Sequence, residues 1–578
     1  MRILLAALNS QYVHTNLAVR SLAAACCGAG FARGSGMPPP EICEYHVNQQ
    51  GHWILGDLLQ RDPDIIGFSC YIWNIELVLR LAEDIKKTSP RIQILLGGPE
   101  VSFDAFDRME KHGFIDYILC GEGEETLPLL LKGADRAGIP GLVYREGRAP
   151  AGSGEYRTVA GLETLAGPWT EESLALAKHQ IVYYETSRGC PFSCEYCMSG
   201  SLGGGVRERP LARVQADLAL MSACGTPLVK LADRTFNANP ERAKSLLRWM
   251  LEFTGDMRIH LELAADLLDE EMLALLSHAP KGKIQIEAGI QSFNEETLRA
   301  VARKTDLAKL KQNVTALTRS GGAHVHLDLI AGLPYEDIGS FARSFDQAYA
   351  LSPHHLQLGF LKLLKGSGLA AAAGRYGIQS RGYPPYEVLC TERLSAAEVL
   401  ILKGIAELLD RYYNSGRAPR GLRFIIERGF TSAFEFYRRF YEFCHSRGYL
   451  SGPVSGLRQF EILIEFAERA SEGFAADEFW VRFLVQLKLD YWAGGIRGRL
   501  PEAFVNPPFV RDESRIRAEA RRLLAENRVT KRQFGRAVFD ILPIHPINGT
   551  IQDTVVMADP DCRDEVTEQY ALTVFEAL

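Results

Sequence analysis

From residue 2 to about residue 361, short apolar runs alternate with longer amphipathic stretches, and this alternation constrains the fold more than any other feature. Apolar runs of about four to eight residues between turn signals fit buried strands, whereas longer periodic stretches fit helices. A chain that alternates the two builds parallel sheets covered by helices. The first strand-like runs lie at 2–8, 42–47, 64–72, 93–97 and 114–120, with helical patterns at 16–28, 51–61, 74–89 and 103–112. Five strands so interleaved predict a doubly wound α/β sheet, with a ligand crevice beyond the carboxyl ends of the strands. After a less regular connection at 146–180, a β-rich run leads into Cys190. Further strands follow near 227–232, 258–263, 283–289, 323–330 and 355–361, with helices near 211–223, 240–254, 269–278, 294–320 and 337–350.

Beyond residue 371 the pattern changes to amphipathic helices, such as 396–413 and 432–444, and 541–556 reads as extended or turn-rich. The aromatic run through Phe434, Phe436, Tyr437, Phe440 and Tyr441 has helical spacing and predicts core packing. The expected domains are 1–145 (a Rossmann-like sheet), 146–180 (a linker), 181–370 (a strand–helix repeat) and 371–578 (mostly α-helical). A length of 578 residues is ample for three domains.

A formal net charge of −6 argues against nonspecific nucleic-acid binding. The apolar start at Ile3–Leu8 is too short for a secretory signal and stops at Asn9-Ser10-Gln11. No uninterrupted apolar span of about 18 residues occurs elsewhere. The expectation is a cytoplasmic protein without membrane insertion, with its twelve cysteines mostly reduced thiols.

Three post-strand loops are rich in glycine or polar groups: Ser69–Trp73, Gly97-Gly98-Pro99-Glu100 and Gly121-Glu122-Gly123-Glu124. Glycine admits close approach of a ligand to backbone, and it is also ordinary turn chemistry. More specific is Cys190-Pro191-Phe192-Ser193-Cys194-Glu195-Tyr196-Cys197. Cys-x₃-Cys-x₂-Cys supplies three thiolates, one fewer than the usual four ligands of an iron–sulfur cube, which leaves one iron open. A regular helix through the first cysteine is disfavoured by Gly189 and Pro191. A zinc site would want a second Cys/His couplet, and none lies nearby.

With its Arg-Gly-Cys-Pro context, the cysteine segment closely resembles the radical S-adenosylmethionine (SAM) family. The loops carrying Ser69, Gly97, Gly98, Gly121, Glu122 and Gly123 resemble cobalamin-binding domains fused to such enzymes. Residues 371–578 resemble a helical C-terminal domain of unassigned role in one cobalamin-binding subgroup. The resemblance implies a [4Fe–4S] cluster on Cys190, Cys194 and Cys197, SAM on the open iron as source of a 5′-deoxyadenosyl radical, and a partial (β/α)₆ barrel. It further implies SAM contacts from Asp233, Glu262, Glu287, Gln291 and Asp328, the last beside the Ala331-Gly332-Leu333-Pro334 turn. The glycine loops would hold cobalamin. The Asp-x-His-x-x-Gly motif that puts histidine on cobalt is absent, so His14 is expected to be a polar loop residue.

The implied reaction is methyl transfer to an unactivated carbon or phosphorus centre through methylcobalamin and a reducing electron donor such as flavodoxin or ferredoxin. The substrate is not specified. The alternatives are radical rearrangement, cyclisation or oxidation without methyl transfer, and a non-catalytic cobalamin- or SAM-responsive binding protein. An RNA methylthiotransferase would carry a C-terminal RNA-binding barrel, which is not recognisable here.

Overall fold

The computed structural model describes the chain except residues 33, 35, 36, 203, 204, 471–476, 497, 498, 506–508, 510, 511, 545, 548–550, 568 and 576–578. It forms two compact units. The first comprises Met1–Ala288, Leu298–Asn313 and Phe360–Glu392, and the second Gly289–Thr297, Val314–Gly359 and Arg393–Leu578.

The first unit opens with β1 (Ile3–Asn9), β2 (Glu41–His46), β3 (Ile65–Ser69), β4 (Gln93–Gly97) and β5 (Tyr117–Leu119), continued by β6 (Leu142–Glu146) and β7 (Ala149–Gly152). Their order in the sheet is β2-β1-β3-β4-β5-β6-β7. The first five pair in parallel, and β6 and β7 add antiparallel. All seven residues of β1 are buried, as expected of a strand covered on both faces. Leu4, Ala6 and Leu8 join one core cluster while Ile3, Leu5 and Ala7 join another, the period-two signature of a pleated strand. The chain runs outward on both sides of β1 and β3, which places a topological switch point at their carboxyl ends. The strand β7 was not foreseen, because Ala-Pro-Ala-Gly offers no apolar run.

The second sheet begins with β8 (Val182–Tyr184). A short antiparallel pair, β9 (Ser187–Arg188) and β10 (Arg207–Glu208), follows before β11 (Leu228–Leu231), β12 (Arg258–Glu262), β13 (Ile284–Gln291), β14 (His324–Ala331) and β15 (His355–Phe360). The boundary between the units runs through β13. Its first half pairs in parallel with β12 in the first unit, and its end belongs to the second unit with β14. The sheet order is β15-β14-β13-β12-β11-β8. Along β13 and β14 buried and half-buried residues alternate strictly.

The single helix expected over 294–320 is two helices, Glu295–Ala300 and Leu307–Ser320. Ala302 between them has φ 52°, and Asp306 Oδ1 accepts hydrogen bonds from the N–H of Ala308 and Lys309, each at 3.0 Å. A left-handed residue followed by a capping aspartate ends one helix and starts another.

Residues 379–390 hold the short pair β16 (Gln379–Ser380) and β17 (Val388–Cys390). The C-terminal part of the second unit is helical and ends in an antiparallel sheet of β18 (Val538–Ile544), β19 (Ile551–Arg563) and β20 (Tyr570–Phe575). The aromatic stripe is core: Phe436, Tyr437 and Phe440 are fully buried and Phe434 nearly so, with Tyr441 half-buried. Tyr437 packs edge-on against Phe345 at 5.8 Å. Among the described residues no helix is long and apolar enough to cross a membrane.

Candidate functional site

A cavity of about 460 Å³ opens within the first unit at the carboxyl ends of β1, β3, β4 and β5, and continues to the ends of β8, β11 and β12. That size is ordinary for a buried ligand. Ser69, Gly97, Gly98, Gly121, Glu122 and Gly123, all expected from sequence, line it. Polar side chains fix the loops around it. Asn74 Nδ2 donates to Leu8 O at 3.0 Å and to Ser69 O at 2.9 Å, and Asn16 Nδ2 donates to Ser69 Oγ at 3.3 Å.

Two features of the wall were missed in the sequence. Tyr71 and Trp73 stack at 4.4 Å with planes 4° apart, offering a flat aromatic surface. Ser21 Oγ is buried without a hydrogen-bond partner, although buried hydroxyls are normally satisfied. A large planar ligand with polar fringes, such as a corrin with amide side chains, fits this mix of aromatic plane, backbone loops and an orphan hydroxyl.

Two of the glycines, Gly98 and Gly121, also have a backbone role of their own. A Cβ on Gly98 would lie 2.6 Å from the Cys70 carbonyl oxygen, and one on Gly121 would strike the Arg157 carbonyl. Both residues have positive φ, 113° and 91°. They are glycine because neighbouring backbones dock there, Cys70 N donating to Gly97 O at 2.7 Å and Glu122 N to Arg157 O at 2.8 Å. His14 lines the cavity, but its Nδ1 is 2.9 Å from Tyr183 Oη. Burial, aided by Lys230, lowers its pKa, so the ring stays neutral near pH 7.

The three cysteines hang from the β9–β10 pair. Gly189, at φ 94°, lets the two feet of the loop close, since a Cβ there would strike the Gly205 carbonyl. Cys190 Sγ lies 3.5 Å from Thr235 Oγ1, and Arg303 Nη1 lies 3.9 Å from Cys194 Sγ. The loop is tethered through the backbone of Glu195, whose N–H donates to Val301 O at 3.0 Å and whose carbonyl accepts from Leu369 N at 2.7 Å. All three cysteines are free thiols, Cys194 buried and the others half-buried. Among the described residues no three His, Cys, Asp or Glu side chains converge on one point as ligands of a single ion would. A cube takes each thiolate on a different iron, so three separated thiols on one short loop, with hydroxyl and guanidinium donors for sulfur, fit a cluster.

The expected SAM contacts divide. Glu262 lines the cavity, together with Lys230 and Arg234. Asp233 does not reach it. At 1% exposure, its carboxylate accepts from Thr186 N at 2.8 Å and from Thr186 Oγ1 and Ser187 Oγ at 2.6 Å each. Burial raises its pKa against those hydrogen bonds. Asp233 therefore braces the strand before the cysteines. Glu287 Oε2 is 3.3 Å from Lys230 Nζ and 3.0 Å from His260 Nε2, outside the cavity wall.

Gln291 and Asp328 lie in the second unit. Gln291 has φ 72° and a buried Oε1 without a partner. Asp328 Oδ1 is 3.1 Å from His326 Nε2, though the two are not aligned as a hydrogen bond. Next to Gln291, Ser292 Oγ donates to Glu336 Oε1 at 2.7 Å. Burial pushes the Glu336 carboxyl up to about 7, against the hydroxyls of Ser292 and Ser344.

Sequence alone also did not show the role of Arg188. Its guanidinium lies 2.6 Å from Glu185 Oε1, 2.5 Å from Glu124 Oε1 and 3.3 Å from Glu122 Oε2, at 14% side-chain exposure. Arg207 also grips Glu122, at 2.5 Å, and Arg209 reaches Glu185 at 3.3 Å. Burial alone would raise the Glu122 carboxyl, but Arg207 and Arg188 hold it below the usual carboxylate range.

Comparison with known proteins agrees with this order of parts. The B12-binding domain family matches residues 3–131, the radical SAM superfamily residues 184–348, and a family described as a protein of unknown function, DUF4080, residues 374–538. The cobalamin-dependent radical SAM methyltransferase TokK of Streptomyces tokunonensis is 25% identical over 302 residues, which cover 48% of this chain and 44% of TokK. A 2-(S-pantetheinyl)-carbapenam-3-carboxylate methyltransferase of Streptantibioticus cattleyicolor is 24% identical over 424 residues, covering 66% of this chain and 62% of that enzyme. The chain thus spans under two thirds of the length of either relative. In fold it is similar to the cobalamin-dependent SAM radical enzyme OxsB, with TM-score 0.59, 15% identity, and coverage of 92% of this chain and 81% of that one. The chain thus carries a B12-binding domain, a radical SAM domain and a DUF4080 domain, in that order.

Proposed function

We propose that the protein is a cobalamin-dependent radical SAM enzyme that methylates an unactivated carbon or phosphorus centre. The observation that carries this reading is the single cavity whose wall joins the post-strand loops of the first sheet to strand ends of the second, next to the cysteine loop. The likeness to TokK and to the carbapenam methyltransferase supports methyl transfer over the other radical outcomes.

Cys190, Cys194 and Cys197 would hold the cluster, and Ser69, Ser21 and the Tyr71–Trp73 plane would border cobalamin. Glu262, Lys230 and Arg234 stand where SAM or substrate would meet polar groups. When bound, the cluster with SAM supplies a carbon-centred radical and cobalamin a transferable methyl group. The chain's own part is to orient these groups and exclude water. It works in the cytoplasm with a low-potential electron donor of the flavodoxin or ferredoxin kind.

The test is anaerobic reconstitution with iron, sulfide, hydroxocobalamin and SAM, followed by product analysis with candidate acceptors. S-adenosylhomocysteine and 5′-deoxyadenosine rising together with substrate are expected, and 5′-deoxyadenosine alone would favour rearrangement, cyclisation or oxidation. Cys190→Ala, Cys194→Ala and Cys197→Ala should each abolish SAM cleavage. Full cleavage by any one of them would remove that cysteine from the site.

A further inference from the structure

In the β9–β10 pair Arg188 stands directly opposite Arg207. Like charges facing each other across a strand pair repel. Here the repulsion is cancelled by Glu122, which lies 3.3 Å from Arg188 Nη1 and 2.5 Å from Arg207 Nη2. Glu122 belongs to neither strand. It comes from the loop after β5, and with Glu124, which also binds Arg188, it lines the cavity. The six groups of this network, three arginines and three glutamates, balance in charge and are mostly buried. Buried paired charges cost much when one partner is removed, so the arrangement fixes geometry more than it adds stability. The hairpin that Glu122 holds together is the base from which all three cysteines hang.

Building on the function proposed above, we propose that Arg188 is a positioning residue that locks the cobalamin-side loop, through Glu122 and Glu124, to the base of the cluster loop. Occupancy of the cobalamin cavity and of the cluster loop are thereby coupled. Such coupling must be reciprocal: whatever the cluster does to cobalamin affinity, cobalamin does to cluster affinity.

The coupling is read by titrating hydroxocobalamin, followed by absorbance, into full-length protein with and without the reconstituted cluster. In the wild type the cluster-loaded form should bind hydroxocobalamin about fivefold more tightly or better, the lower end of ordinary coupling between sites. In Glu122→Gln, compared with the wild type at equal iron content per chain, the two affinities should converge to within about twofold. Arg188→Lys provides a second route if Glu122→Gln does not fold, since an ammonium keeps the charge but lacks the fork that engages three carboxylates. A merely structural role would weaken both forms equally and leave the ratio intact. A wild-type ratio near one, or a ratio preserved in both variants, overturns the coupling while leaving the function standing. Failure of the wild type to bind hydroxocobalamin in either form overturns both.

Discussion

Glu336 is 1% exposed, and its Oε1 accepts hydrogen bonds from the neutral hydroxyls of Ser292 and Ser344, so its ionisation works against folding. Burial sets its folded pKa at about 7, against an ordinary value of 4.5. The sign follows from where the proton is held: the fold favours the neutral acid, so the benefit is complete below about pH 4.5 and is lost as pH rises through about 7. The loss is on the order of 3 kcal/mol, since each pKa unit is worth about 1.4 kcal/mol. The thermal midpoint of the wild type should therefore fall more steeply between pH 5 and pH 8 than that of Glu336→Gln. Parallel slopes for the two proteins would show that Glu336 does not titrate in this way. Asp233 is the related case of a carboxylate that reads as a ligand in sequence and serves as a brace. Three donors from Thr186 and Ser187 occupy it, and their approach depends on two strand ends meeting 46 or 47 residues apart in the chain.

The post-strand loops dock on one another through backbone, and this makes their glycines structural. Gly98→Ala and Gly121→Ala should each destabilise the protein by about 1–3 kcal/mol, through positive φ and a Cβ driven toward a carbonyl. Gly97→Ala should cost only a few tenths, because its Cβ would meet Leu119 Cβ at an ordinary 3.7 Å. Denaturant unfolding of the three variants checks the ranking, and an equal cost at Gly97 would refute the docking argument. The first five strands of the first sheet and the helices between them were legible because apolar period and length specify them without reference to partners, whereas β6 and β7 were not. The Ala302–Asp306 break was not, since the left-handed turn and its cap occur within a stretch whose helical period hardly falters. Cys190, Cys194 and Cys197 stand out in the sequence because their proposed chemistry is written in local spacing, and the structure carries all three on one short loop. Arg188 stands in the same motif, yet it forms ion pairs with Glu122 and Glu124, the latter 64 residues away, and no local pattern records such a pairing.

The first unit is not finished where its second sheet leaves it, because the chain returns to it twice, at Leu298–Asn313 and Phe360–Glu392. The second return straps down both sides of the site. Lys365 Nζ is 2.7 Å from Asp104 Oδ2, Tyr386 Oη donates to Glu100 Oε2 at 2.8 Å, and Leu369 N reaches Glu195 O. A chain ending at residue 392 should thus retain more reconstituted iron than one ending at residue 359, although both lack the C-terminal helices. Equal iron content would show that the strap is dispensable for the cluster loop. The strap also sets a timetable. On the ribosome the three cysteines emerge long before Leu369, and until that residue arrives Glu195 lacks one of its two tethers and the thiols stand on an unfinished loop. Were these cysteines to take the proposed cluster, iron delivered before Leu369 has left the exit tunnel would meet thiols on a loop that still lacks a tether.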